Sequence, residues 1–355
     1  MQTPGAEDFG FTFSNYDNPT VNALNRKFHI DIKPHVGQYG YLEGLSKPAV
    51  NSNSGGRLFI CGSENQSQMS KNFLLLGKIE ADSTKLLKIQ GIDEHVRYLE
   101  WLPRDPRRIV AAMNGELGII VLNQELTDIM DIEMFPKFHS NTIRQFAVNP
   151  MNQSLVISGG FDAKVFVTDI SKLVDDIQGN VVKSENSVYN CQDVVSSVRF
   201  HPSDANVASA TTDQGVLHVF DVRTGYTSKP AFVYDTGKIE LFTHAYLDDF
   251  TVCLGYGDGF IQVHDIRSGK TLLSFQDKCL QVVGDFYYET NRKLLISLGI
   301  PKYSIYQVNA TSFELYNSAP IFPQQPSGNT HGTYIPQHHQ LLTTDTFGNI
   351  SLFDL

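Results

Sequence analysis

The sequence predicts an all-β chain closed into a ring of seven four-stranded blades, a β-propeller, and three observations predict it. Strand ends recur at a period of about 45 residues, the spacing of one blade. The segments between them break at Gly, Asp and Pro turns and show little 3.6-residue periodicity. The final unit is one strand short, and residues 26–34 near the start of the chain alternate like the missing strand.

The period is clearest from Asp221, which ends a strand in "VLHVFDVRTG" (216–225). Comparable ends fall at Asn123 ("GIIVLN"), Asp169 ("KVFVTD"), Asp265 ("IQVHD") and Asp354 ("ISLFD"). The successive gaps are 46, 52, 44 and 89 residues, the last being two periods. "YSIYQVN" (303–309) fills that double gap, and "NFLLLGKIE" (72–80) extends the series backward.

Each period repeats an internal grammar. A first strand runs into a proline turn in "VRYLEWLP" (96–103), "IRQFAVNP" (143–150) and "VVSSVRFHP" (194–202). A second strand of small residues, "SLVISGG", "NVASATT" or "FTVCLGY", closes on Asp162, Asp213 or Asp258. Asp–Gly and Gly-containing pairs at these places supply the positive φ that tight hairpins need. The third strand follows and carries the anchor.

Seven blades result: 36–92, 93–136, 137–190, 191–234, 235–276, 277–317 and 329–355. An unfinished last blade would leave a bare edge. "RKFHIDIKP" (26–34) is expected to complete it, so residues 26–355 form one propeller and residues 1–25 an extension outside the ring. "FGFTF" (9–13) reads as a docked local strand and "SKLVDDI" (171–177) as a turn of helix. The insertion at 169–193 and the Pro/Gly/Gln-rich loop at 317–332 break the even spacing, and one of them is expected to carry partner contacts.

Composition narrows the function. The chain is 41% hydrophobic with a formal charge of −10, which argues against nonspecific nucleic-acid binding. No apolar run reaches the length of a membrane span. The first residues have neither a basic start nor an apolar stretch, so no secretory signal is read. Cys61, Cys191, Cys253 and Cys279 form no C-x-x-C pair and suit reduced thiols. The four N-x-S/T sites are then read as unused, and the expected location is the cytoplasm, with the nucleus also open to it.

Fragments that imitate catalytic motifs fail on context. "SGKT" (268–271) has His264 where a phosphate-binding loop needs glycine, and a strand follows it. "GYGDG" (255–259) sits in a hairpin turn. His338 and His339 are adjacent and would point to opposite sides of a strand. "DPRR" (105–108) is a turn. No enzyme, cofactor or metal is expected.

With these residues in view, the chain resembles the WD-repeat family. The resemblance is carried by "FHSNTI…SLVISGGFDAKVFVTD" (138–169), "VVSSVRFHP…NVASATTDQGVLHVFDVRTG" (194–225) and "FTVCLGYGDGFIQVHDIRSGK" (250–270). It implies a His, Ser/Thr, Asp and Trp network within each blade, mostly missing here. Blade 3 offers His139 and Asp162, with Gly160 and Thr168 in the other two places; blade 4 offers Thr211 and Asp213, with Asp193 and Phe220. It also implies a noncatalytic scaffold or adaptor subunit of a multiprotein complex. An enzyme or small-molecule binder using the central channel is the remote alternative.

Two candidate contact sites emerge. Asp221/Arg223 and Asp265/Arg267 form D-x-R turns on consecutive blades. In the resembled family such a pair is the docking box of substrate receptors for a cullin ubiquitin ligase adaptor. The plainer reading is that each Arg ties down its own turn. Aligning first strands on Pro103 and Pro150 puts Arg97 and Arg144 at equivalent places near the channel mouth, on the opposite face. Two neighbouring guanidinium groups would suit an acidic or phosphorylated peptide. The plainer reading is that acids such as Glu94 and Glu100 satisfy them.

Overall fold

The structure, a computed structural model, describes residues 26–67, 70–81, 83–171, 187–224, 229–277, 279–300, 302–309, 312–320 and 330–355. The extension with "FGFTF", nearly all of "SKLVDDI" and most of the two irregular loops lie outside the described residues.

The strands form seven four-stranded antiparallel sheets. Blade 1 is β2 (Ala49–Asn51), β3 (Leu58–Gly62), β4 (Asn72–Ile79) and β5 (Thr84–Ile92), and blade 2 is β6 (Val96–Trp101), β7 (Arg108–Met113), β8 (Glu116–Leu122) and β9 (Ile129–Met134). Blade 3 is β10 (Ile143–Val148), β11 (Leu155–Gly160), β12 (Lys164–Asp169) and β13 (Ser187–Asn190), and blade 4 is β14 (Val195–Phe200), β15 (Val207–Thr212), β16 (Val216–Asp221) and β17 (Phe232–Asp235). Blade 5 is β18 (Leu241–Tyr246), β19 (Thr251–Tyr256), β20 (Phe260–Asp265) and β21 (Lys270–Gln276). Blade 6 is β22 (Val282–Glu289), β23 (Leu294–Ile300), β24 (Lys302–Val308) and β25 (Phe313–Pro320). Blade 7 is β26 (Thr330–Ile335), β27 (Gln340–Asp345) and β28 (Asn349–Asp354), completed by β1 (Arg26–Asp31).

The expected closure is therefore present. Phe28 pairs with Leu352 and Ile30 with Ile350 along β1 and β28. A single helical turn, α1 (Lys33–Val36), then leads toward blade 1.

The core lies between blades. Phe59 and Phe73 of blade 1 meet Ile350 and Leu352 of blade 7 in one cluster, while Ile60 and Leu74 meet Val96 and Ile109 of blade 2 in the next. Successive residues of a middle strand thus face two different neighbours, and both sides are buried. This is why "NFLLLGKI" and "ELGIIVL" read as near-continuous apolar runs instead of alternating.

Blade 3 builds an internal network of the kind the resemblance implies. His139 Nδ1 donates to Asp162 at 3.0 Å, and its Nε2 accepts from the Ser158 hydroxyl at 2.9 Å. The hydroxyl role therefore belongs to Ser158, a correction to the assignment of that place to Gly160. Phe166 closes on the imidazole edge-on at 4.5 Å. In blade 4 the analogous acid is diverted: Asp213 pairs with Arg144 of blade 3.

Candidate interaction site at the channel mouth

The innermost strands of blades 2 to 6 share a local irregularity that the site is built on. Their register with the second strand shifts between Val96 and Tyr98, Ile143 and Gln145, Val195 and Ser197, Leu241 and Thr243, and Val283 and Asp285. The skipped residue is Arg97, Arg144, Ser196, Phe242 or Gly284. A bulge re-aims the side chain it carries. The shift falls at the start of the innermost strand in each of these five blades, and in blades 2, 3 and 5 the residue it re-aims is Arg97, Arg144 or Phe242.

Arg97 and Arg144 are thus both bulge residues, at the equivalent places that their spacing before the two prolines gave them. Between them stands Phe161, from the turn joining β11 to β12, with its ring 5.6 Å from the Arg97 guanidinium and 5.7 Å from that of Arg144. Phe161 is 39% exposed. Arg144 also lies 5.3 Å from the Phe242 ring and donates to Asp213 at 2.7 Å. The acids expected to satisfy this pair were Glu94 and Glu100; Asp213 takes that part for Arg144. Arg97 has no ion pair or hydrogen bond among the described residues, and its guanidinium lies over the Phe161 ring. A guanidinium on an aromatic face keeps its hydrogen-bonding edge available.

Beside Arg97 opens a cleft of about 680 Å³, lined among others by Phe161, Thr142, Asp93, Glu94 and His95. Arg97 also acts on Glu64, whose carboxyl is pushed up to about 7 by burial, with the Arg97 charge opposing the shift. His331 stands 4.0 Å from Glu64, and burial lowers its imidazole to about 4.

Deeper in, the channel is bridged by charge. Lys47 Nζ meets Asp285 at 2.6 Å and Arg199 Nη2 meets the other carboxylate oxygen at 2.8 Å, drawing blades 1, 4 and 6 together. Lys47 also donates to Tyr98 Oη at 3.0 Å. Burial works to raise the Asp285 pKa, yet the two cations hold it below the usual carboxylate range. Glu100 faces this part of the channel; burial pushes it up to about 7 against the Val148 N–H, Lys47 and Arg199. The lower cavity, about 420 Å³, is lined by Tyr98, Glu100, Trp101, Arg199, Phe286 and Tyr287 among others.

The D-x-R turns lie on the opposite face, at the ends of β16 and β20. Each arginine folds back on its own aspartate. Arg223 donates through Nε and Nη2 to Asp221 at 2.8 and 2.6 Å, and Arg267 does the same to Asp265 at 3.3 and 3.1 Å. These bonds hold Asp221 down at about 2. Arg267 also covers the Phe250 ring at 4.2 Å. Both side chains stay largely exposed, at 67% and 62%.

Arg97, Arg144 and both D-x-R turns stand out in the sequence, whereas Phe161 and the Lys47–Asp285–Arg199 bridge do not. A turn aromatic directly after "SGG" was a weak signal for the first. The second had none, because its members come from blades far apart in sequence.

Fold and site together define a class: a closed seven-bladed propeller with a cationic, aromatic rim at one mouth of a charge-bridged channel. No family model matches the chain. Over 142 residues, 40% of this chain, it is 20% identical to the histone acetyltransferase type B subunit 2 of Candida glabrata. That match spans 33% of the relative, so the chain covers about a third of its length. A chain in the crystal structure of the mitotic checkpoint complex matches with a TM-score of 0.69 at 13% identity, covering 97% of this chain and 96% of that one. Taken with the repeat grammar and the ring, the likeness shows the fold: the chain is a seven-bladed β-propeller of four-stranded blades, and its repeats resemble those of the WD-repeat family.

Proposed function

We propose that this propeller is a noncatalytic subunit of a multiprotein assembly and that its channel mouth seats an acidic or phosphorylated segment of a partner through Arg97 and Arg144. One observation carries the reading. Arg97, in a chain of formal charge −10, has no carboxylate bonded to it among the described residues and stands beside an exposed aromatic ring over an open cleft. Arg144 is braced by Asp213 and positions the shared ring. The likenesses agree in kind, since one relative is named as a subunit and the other belongs to a complex. The first name also supports a nuclear pool beside the cytoplasmic one.

The test is affinity purification with mass spectrometry, comparing wild type with Arg97→Ala. At least one partner is expected to fall more than tenfold in recovery, since removing one member of a desolvated charge pair costs about 2–5 kcal/mol. Phosphatase treatment of the extract separates phosphate from carboxylate recognition. An unchanged set of partners would sink the proposal.

Docking on a cullin adaptor is the second reading, supported by the exposure of Arg223 and Arg267 on one face. It requires that Arg223→Ala/Arg267→Ala lose a cullin adaptor in the same purification while keeping the Arg97-dependent partners. If no adaptor is recovered with wild type, the arginines serve their own turns.

A further inference from the structure

The cleft beside Arg97 is electrically two-ended. Arg97 and Phe161 stand at the channel side. Asp93 and Glu94 line the same cleft from the loop joining the outermost strand β5 to the innermost strand β6. That loop crosses the full width of a blade, three strand spacings or about 14 Å. It does so in three residues, Asp93 to His95, with bends at Asp93 and Glu94, so both carboxylates fall between the outer rim and the channel side. Both are exposed. Glu94 makes one contact, accepting from Asn114 Nδ2 at 3.3 Å, and Asp93 has no ion pair or hydrogen bond among the described residues.

Resting on the reading above, we infer that the cleft selects a bipolar segment of a partner protein: an anionic side chain for Arg97 and, two to four residues away, a lysine or arginine for Asp93 and Glu94. A purely acidic strand would gain at Arg97 and lose at the two carboxylates, and a basic one the reverse. An extended peptide advances about 3.4 Å per residue, so two to four residues match the part of the radius that separates the two ends. The Phe161 ring offers an apolar platform next to the anion's seat. Charge complementarity of this kind sets register and rejects wrong partners more than it adds raw affinity.

The probes are fluorescein-labelled 12-residue peptides in a Ser/Gly background. One series carries a single Glu or phosphoserine three residues from a single Lys, in both orders; the others carry only the anion or only the Lys. Binding is read by fluorescence polarisation at low salt, with thermal melts confirming that each variant is folded. Wild type is expected to bind one bipolar order at least tenfold more tightly than the anion-only peptide. Asp93→Asn/Glu94→Gln should erase that preference by weakening the bipolar peptide alone. Arg97→Gln should weaken both.

Equal binding of anion-only and bipolar peptides, or a preference that survives Asp93→Asn/Glu94→Gln, overturns the bipolar inference. Provided Arg97→Gln still weakens binding, the broader reading of the channel mouth stands in that case. Binding indifferent to Arg97, or binding of no peptide, overturns both.

Discussion

Asp285 holds two cations at once, and the interior of the ring depends on that arrangement. Lys47 and Arg199 approach it from different blades, and the three side chains are only 12%, 18% and 8% exposed for Lys47, Arg199 and Asp285. Burial alone would drive the Lys47 ammonium toward neutrality, but Asp285 and Tyr98 reverse the direction and raise it. Asp285→Ala leaves two like charges facing each other in a low-dielectric channel, a loss of about 3 kcal/mol by the usual cost of orphaning a buried charge. Urea denaturation should show it as a lower midpoint at constant slope. The triple change Lys47→Met/Arg199→Met/Asp285→Leu should recover most of the loss, because apolar substitution removes the desolvation cost with the attraction. A loss below about 1 kcal/mol for Asp285→Ala would mean that channel water screens the pair and that the bridge is ornamental to stability. None of this was legible in the sequence: Lys47 and Asp285 lie 238 positions apart, and neither belongs to a motif.

At the scale of the element, the blade is set by its turns and bulges. The hairpin joining β15 to β16 places Gly215 at φ +87°, where an added Cβ would overlap the Lys238 carbonyl oxygen. In the equivalent hairpin of blade 3, Ala163 sits at φ 62° without a glycine to ease it. Gly215→Ala should therefore destabilise by about 2–3 kcal/mol, while Ala163→Gly should stabilise by about 1 kcal/mol. Thermal unfolding of the two variants should move in opposite directions, and a stabilised Gly215→Ala would contradict the turn assignment. These turns were the legible part of the fold, since Asp and Gly declare a hairpin chemically wherever it lies. The bulges were not, because register is a relation between two strands, and nothing in "VRYLEW" or "IRQFAV" marks its second residue as skipped. Equal spacing to Pro103 and Pro150 revealed Arg97 and Arg144 only as equivalent. What they face was decided by the Phe161 turn and by Asp213 in the following blade.

For the whole molecule, the sequence disclosed closure because an incomplete last repeat and a stray alternating segment answer each other. Their pairing joins residues 322 apart, as in the contact of His29 Nδ1 with Ser351 Oγ at 3.0 Å. The burial pattern of β1 shows how the closure works. Of its six residues only Phe28 is buried, in the cluster that also holds Ile350 and Leu352. Its contribution is therefore mainly one aromatic side chain, about 2–3 kcal/mol, with Ile30 half-buried against the same cluster, plus a ladder that covers the edge of β28. A chain beginning at Ile32 should still fold, because the seven inter-blade clusters keep all their other members. It should unfold at a lower urea midpoint by an amount matching Phe28→Ala within about 1 kcal/mol. The truncated chain, but not Phe28→Ala, should also self-associate with rising concentration, since only truncation bares the β28 edge. Light scattering coupled to size exclusion distinguishes the two, with a chain lacking only residues 1–25 as the control. A truncated chain that stays monomeric at the wild-type midpoint would show that the ring is held by blade-to-blade packing alone and that β1 is dispensable to it.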